Sequence, residues 1–90
     1  MKPGQCYQLR SDEYVMVIDR NKWREPKSVY LFVYKQGEVH CGPDAATIDS
    51  CIVVCVNMVG TSRGVVHRVI VNGEVAILEH ESRAYFKRVQ

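Results

Sequence analysis

The segment Arg20–Lys27 holds the residues whose types and spacing best fit a binding chemistry. It contains the only tryptophan of the chain, four cations and a single acid. An indole ring on a loop can stack on a nucleic-acid base while neighbouring cations hold phosphates. The candidate ligand-binding residues are therefore Arg20, Lys22, Trp23, Arg24 and Lys27, joined by Arg63 from a later loop.

Two other interpretations of this segment remain open. Trp and Arg are frequent energetic anchors in protein interfaces, so the same loop also fits an acidic protein surface. In the third interpretation Trp23 folds back as a lid on one end of a barrel, and the cations only keep the loop hydrated.

Four residues invite a metal hypothesis: His40, Cys41, Cys51 and Cys55. Zinc sites favour cysteine pairs two to four residues apart in a turn, because both sulfurs must reach one ion. In a strand, residues four apart point the same way but lie roughly 13 Å from each other. We therefore expect no metal site and no cofactor.

No arrangement for nucleophilic catalysis stands out either. A catalytic thiol needs a pKa lowered by a nearby cation or a helix N-terminus, and nothing in the local sequence supplies one. The segment Gly60–Gly64 lacks the lysine and the spacing of a phosphate-binding loop. We expect a protein without enzymatic activity, with His67 a half-buried strand residue and the cysteines reduced, buried thiols.

The pattern along the chain is strand-like nearly throughout. β-Branched and aromatic runs bounded by turn residues predict strands, and Asp44–Thr47 is the one place where a short helical turn is expected. The strands are predicted over Cys6–Arg10, Tyr14–Ile18, Val29–Lys35, Glu38–Cys41, Cys51–Met58, Val65–Val71, Glu74–His80 and Ala84–Val89.

Turn residues indicate which strands pair. The first two strands are expected to form a hairpin across Ser11–Glu13, and Gln36-Gly37 is expected to turn the chain back after the third. The clearest signal is Asn72-Gly73, because a type I′ turn needs positive φ at both central residues. We expect Gly60–Gly64 to be a loop and the final, basic strand to lie at an edge of the sheet.

The Asn72-Gly73 hairpin has a definite register. It places Val71 opposite Glu74 and His67 opposite Leu78, with Arg68 and Glu79 as diagonal neighbours that could form an exposed ion pair. Because neither face of the hairpin is purely polar, we expect both faces to be covered over much of their area, except near Arg68 and Glu79.

The number and spacing of the strands predict the fold class. Seven or eight short strands, with at most one short helical turn, are typical of an all-β sandwich or barrel. We expect a small, partly open, SH3-like β-barrel that forms a single domain over residues 1–90.

The first strands carry a resemblance to a known class. Pro3–Leu9 followed by Tyr14–Ile18 resembles the first hairpin of many SH3-like barrels, including tudor-like domains. Among these, the plasmid-maintenance endoribonuclease toxins are similar in having a basic loop after the second strand and a Thr-Ser pair after a later apolar strand. That resemblance would give functional roles to Arg20 or Arg24 and to Thr61-Ser62, although no Arg-Pro precedes the second strand here.

Composition excludes some classes of protein. The hydrophobic fraction of 47% and the charged fraction of 24% are ordinary globular values. The net charge of +2 does not by itself indicate nucleic acid, but cations concentrate in Arg20–Lys27 and in the last eight residues. The longest apolar runs have six residues and no signal peptide is visible, so we expect no membrane association and a cytoplasmic location.

The sequence thus predicts a small binding module, with nucleic acid slightly favoured over an acidic protein surface. Two alternatives are a self-associating structural protein, which forms a homodimer through an exposed strand edge, and an endoribonuclease-like enzyme. Binding to nucleic acid should weaken steeply with salt, whereas a self-associating protein should be dimeric at any salt concentration.

Overall fold

The computed structural model describes residues 1–20, 29–38, 42, 44–48, 52–62 and 64–89. Eight strands and one 3₁₀ helix account for most of these residues. In chain order they are β1 (Cys6–Leu9), β2 (Tyr14–Asp19), β3 (Tyr30–Lys35), β4 (Ala45–Ile48), β5 (Val53–Thr61), β6 (Gly64–Val71), β7 (Glu74–Glu79), the 3₁₀ helix (His80–Tyr85) and β8 (Phe86–Val89).

The strands form one curled, open sheet in the order β4-β2-β3-β7-β6-β5-β1-β8, which makes a half-barrel. All neighbouring strands are antiparallel except β3 and β7, which run parallel. The predicted all-β, partly open barrel of eight short strands with one short helical element is confirmed. The basic strand β8 lies at an edge of the sheet, as expected.

The core lies on the concave side of this sheet. Side chains alternate between the two faces of a strand, so every second residue of β6 and β7 points inward. Val69 and Leu78 are fully buried in this way, and Phe86 from β8 joins them. The core consists of Tyr7, Met16, Ile18, Leu31, Val53, Cys55, Val69, Val71, Ala76, Leu78 and Phe86.

The β6–β7 hairpin forms as predicted. Asn72 and Gly73 have φ values of 49° and 77°, the positive values that a type I′ turn requires. Val71 lies opposite Glu74 and His67 opposite Leu78. The local turn chemistry is sufficient to set this register because the two strands are adjacent in sequence.

The predicted hairpin between the first two strands is wrong. β1 pairs with β8 and with β5, and β2 pairs with β3 and β4. The backbone N–H of Tyr14 donates to the carbonyl oxygen of Ser11 at 3.4 Å, in a turn that leads the chain away from β1. The two segments that carry the resemblance to SH3-like barrels therefore do not pair with each other.

Two further local predictions are wrong. The expected helical turn at Asp44–Thr47 is the edge strand β4, which pairs with β2. The extra backbone hydrogen bonds of that ladder replace those of a single helical turn. A 3₁₀ helix occupies His80–Tyr85 instead. The final strand therefore begins at Phe86 and not at Ala84 as predicted.

The expected loop at Gly60–Gly64 is also shorter than predicted. Thr61 is still in β5 and lies opposite Gly64, the first residue of β6. The hydroxyl of Thr61 donates to the carbonyl oxygen of Gly64 at 2.7 Å, and Gly64 has a φ of 116°. A glycine with positive φ permits this tight connection.

The turn at Gln36-Gly37 is present, with a φ of 88° at Gly37. Glu38, the first residue of the predicted return strand Glu38–Cys41, is not in a strand, and the rest of that strand lies outside the described residues. Cys6 and Cys55 are free thiols. Cys41 and Cys51 are not among the described residues.

Candidate anion-binding cleft

Arg20 is the one described residue of the predicted Arg20–Lys27 binding loop. It follows β2, and its backbone N–H donates to the carbonyl oxygen of Asp44 at 2.9 Å. Its guanidinium group forms a two-fold contact with Glu74, including a hydrogen bond from Nε to Oε2 of 3.2 Å. The hydrogen bond and the charge of Glu74 raise the pKa of Arg20. A ligand at Arg20 must therefore share this cation with a carboxylate.

The other predicted ligand-binding residues lie outside the described residues. They are Lys22, Trp23, Arg24, Lys27 and Arg63. Whether the indole of Trp23 is exposed or covers one end of the barrel stays a prediction.

The structure brings together a different set of cations. A cleft of about 580 Å³ opens between β1, β8, the 3₁₀ helix and the N-terminal segment. Four of the described residues in its lining are basic, and none of them is acidic. The lining consists of Met1, Lys2, Tyr7, Arg10, Arg83, Ala84 and Arg88. We call this the basic cleft.

Two guanidinium groups of the basic cleft are fixed by the backbone. Nε of Arg10 donates to the carbonyl oxygen of Phe86 at 2.9 Å, and Nη1 of Arg83 donates to the carbonyl oxygen of His80 at 3.0 Å. A guanidinium has five N–H donors, so each of these hydrogen bonds leaves most of the donors of the group available for an anion. Side chains that are already held lose less entropy when a ligand binds.

Tyr7 adds a hydroxyl group to the same cleft. Its ring is buried in the core, and its hydroxyl oxygen accepts a hydrogen bond of 2.7 Å from the backbone N–H of Lys2. A tyrosine hydroxyl that accepts one bond can still donate its own proton. The cleft therefore presents guanidinium, ammonium and hydroxyl donors together, which is the donor set that phosphate oxygens accept.

The 3₁₀ helix that supplies Arg83 begins at His80, whose ring pairs with that of His67 in β6. Nε2 of His67 lies 2.9 Å from Nδ1 of His80, and the two rings stack with centroids 5.1 Å apart. His67 is fully buried, not half-buried as expected, and its Nδ1 has no partner among the described residues. Burial, above all, lowers the pKa of His67, and the charges of the N-terminal amino group, His80 and Arg83 lower it further.

A second cavity shows that cations do not line every opening of the fold. It has a volume of about 230 Å³, and the described part of its lining contains Asp12 and neither Lys nor Arg. The lining consists of Leu9, Ser11, Asp12, Tyr14, Val15, Gln36 and Ile48. The positive character of the basic cleft is therefore a local feature of the β1–β8 end of the sheet.

Sequence reasoning identified Arg83 and Arg88 only as part of a basic C-terminal segment, and it missed Lys2 and Arg10. No local pattern reveals the cleft, because residues near position 5 meet residues near position 85 only through the β1–β8 ladder. An aromatic row on β3 was also missed. Its rings, Tyr30, Phe32 and Tyr34, follow one another at 5.9 and 6.2 Å, and their spacing of two residues was a visible signal.

Within the described ranges, no group of three or more His, Cys, Asp or Glu residues is arranged to hold a metal ion. The described part of the chain also contains no helix long and apolar enough to cross a membrane. No protein-family model, curated protein sequence or solved structure matches this chain.

Proposed function

We propose that this chain is a nucleic-acid-binding module that holds backbone phosphates in the basic cleft. The observation that carries the proposal is that Lys2, Arg10, Arg83 and Arg88 line the cleft and that no carboxylate is present among the lining residues that the structure describes. Nonspecific affinity for nucleic acid comes mainly from cations that replace condensed counterions at the phosphates.

The size of the cleft favours a single strand. The cleft is open to solvent, and its volume of about 580 Å³ lies within the range of sites that hold one small ligand, so it has room for a nucleotide. In an extended single strand the phosphates are accessible one at a time. The guanidinium groups of Arg10 and Arg83 are held by main-chain carbonyls and can meet such a phosphate with little rearrangement.

The Arg20–Lys27 loop has a second role in the proposal. Phosphate contacts position a strand, whereas an aromatic ring can hold a base by stacking. In this proposal Trp23 supplies the stacking contact, and Lys22, Arg24, Lys27 and Arg63 supply further cations; all five lie outside the described residues. The cytoplasmic location expected from the sequence stays a prediction.

The cleft is tested by measuring binding of a fluorescent 20-nucleotide single strand at several salt concentrations. The double variant R10Q/R83Q should bind more weakly than the unchanged protein. The slope of log affinity against log salt concentration should be less negative by about 1.4, because each lost phosphate contact to a single strand changes that slope by about 0.7.

The matched control is K35Q, which removes one positive charge from an exposed position on β3 that does not line the cleft. It should change affinity little. If R10Q/R83Q binds the oligonucleotide with the same affinity and salt dependence as K35Q, the cleft is not the binding site. Tight, salt-dependent binding to poly-aspartate without binding to the oligonucleotide would instead support an acidic protein partner.

A further inference from the structure

The outer side of β5, β6 and β7 is a largely aliphatic surface. The registers of these strands place nine side chains on one face, in three rows of three. This face is opposite to the one that carries the core residues Val69 and Leu78, since side chains alternate along a strand. The nine residues are Val54, Asn57, Val59, Val66, Arg68, Ile70, Val75, Ile77 and Glu79. We call them the aliphatic face.

Six of these nine side chains are Val or Ile, in the middle of the sheet. A sheet with one solvated face normally alternates apolar and polar residues, whereas strands that are apolar on both sides are covered on both sides. Ile70 and Val75 nevertheless remain 39% and 49% exposed, and Val56 at the bulge beside them is 40% exposed. The expectation that this hairpin is covered on both faces is thus not met within the described residues.

The charges on the aliphatic face indicate what covers it. It carries one cation, Arg68, and one anion, Glu79, both exposed. The expected ion pair between them is absent, and the one described salt bridge joins Arg20 to Glu74. A face with no net charge offers nothing to a strongly acidic or basic partner. It does fit a surface that has the same apolar rows and the same two opposite charges.

We propose that the aliphatic face binds the aliphatic face of a second copy of this chain, related to the first by a two-fold axis. In a two-fold interface a residue that meets another is met by it in return, so Arg68 of each copy can face Glu79 of the other. The apolar rows supply the affinity, and the two charge pairs select the orientation.

The strand edges are less suited to self-association. Edge strands resist pairing with other chains when they carry exposed cations, because two copies then repel each other. The edge strand β8 has Lys87 and Arg88 exposed, and the other edge strand, β4, has only four residues. The sequence predicts, as an alternative, a homodimer that forms through a strand edge. In this proposal the contact between the two copies lies on the aliphatic face instead.

The size of the face sets the strength of the dimer. Three strands about 4.8 Å apart and three rows about 7 Å apart span roughly 15 by 20 Å. Such a footprint buries roughly 600 Å² in total over the two copies, which is less than the approximately 1,000 Å² that stable interfaces exceed, so the dimer is weak and transient. We expect a dissociation constant in the micromolar range, on the order of 10 to 100 µM.

Sedimentation analysis of the full chain between about 1 and 500 µM tests the proposal, since this range brackets the expected dissociation constant. The unchanged protein should shift from monomer to dimer, and I70K should stay monomeric. R68E should raise the dissociation constant about tenfold or more, because it places like charges opposite each other. The double variant R68E/E79R should restore it to within about threefold of the original value.

K35E is the matched control, because it reverses a charge at an exposed position outside the aliphatic face. It should dimerise as the unchanged protein does. Thermal unfolding at 1 µM shows that each variant is folded. A monomer throughout the concentration range, dimerisation of I70K equal to that of the unchanged protein, or failure of R68E/E79R to restore association would each overturn the proposal.

Discussion

One substitution separates two of the roles that the sequence allows for Trp23, a ring that stacks on a base and a lid on the core. If its indole stacks on a base, Trp23→Ala should cost roughly 1–3 kcal/mol of affinity for a single-stranded oligonucleotide and leave the melting temperature unchanged. Trp23→Phe, which keeps an aromatic face, should retain more of the affinity. A melting temperature lowered by several degrees with unchanged affinity would instead identify a buried lid.

His67 makes stability depend on pH. Burial, followed by nearby positive charge from the N-terminal amino group, His80 and Arg83, lowers the pKa of His67 in the folded state. Below pH of about 6.5 the unfolded chain therefore binds a proton at this residue that the folded chain does not. By linkage the free energy of unfolding should fall as the pH falls below that value, until the lowered folded-state pKa is reached.

Urea unfolding at pH 7.5 and pH 5.5 measures this effect. Replacing His67 by Leu removes the buried imidazole, so the variant should lose less stability than the unchanged protein on going to pH 5.5. His80→Leu is the matched comparison, because His80 is only partly buried. An equal loss of stability in the unchanged protein and in His67→Leu would show that another group controls the acid response.

At the level of the element, the β6–β7 hairpin depends on its two-residue turn. Gly73 has a φ of 77°, where a β-branched residue is strained. Gly73→Val should therefore destabilise the fold by about 1 kcal/mol or more, as measured by thermal or urea unfolding. Asn72→Gly should be close to neutral, since glycine also adopts positive φ. Equal stability of the Gly73→Val variant and the unchanged protein would contradict the type I′ turn.

The elements also show which parts of the fold can be predicted from a single sequence. The strands around Asn72-Gly73 and the edge position of β8 follow from local turn chemistry and from charge, and both predictions are confirmed. The partners of β1 could not be predicted in this way. Its neighbours are about 50 and 80 residues away, and no nearby residue signals them.

At the scale of the whole molecule, the candidate site also depends on contacts between residues far apart in sequence, which a single sequence does not reveal. The Arg20–Lys27 loop could be predicted as a candidate site because its cations lie close together in the sequence. The basic cleft is assembled from both ends of the chain by β1 and β8, so it emerges only with the fold. It shares no residue with the aliphatic face, and R10Q/R83Q and I70K therefore test phosphate binding and dimer formation separately.

The position of β1 between β5 and β8 has a consequence for biosynthesis. Cys6 lies opposite both Val54 and Val89, so β1 lacks one of its two neighbouring strands until the segment that forms β8 has also emerged from the ribosome. Until then the ring of Tyr7, which ends in the core, has no Phe86 beside it. Closing such distant contacts is slow compared with forming a hairpin. The β6–β7 hairpin can form before the segment of β8 has been synthesised, whereas the half-barrel is completed only after that segment has emerged.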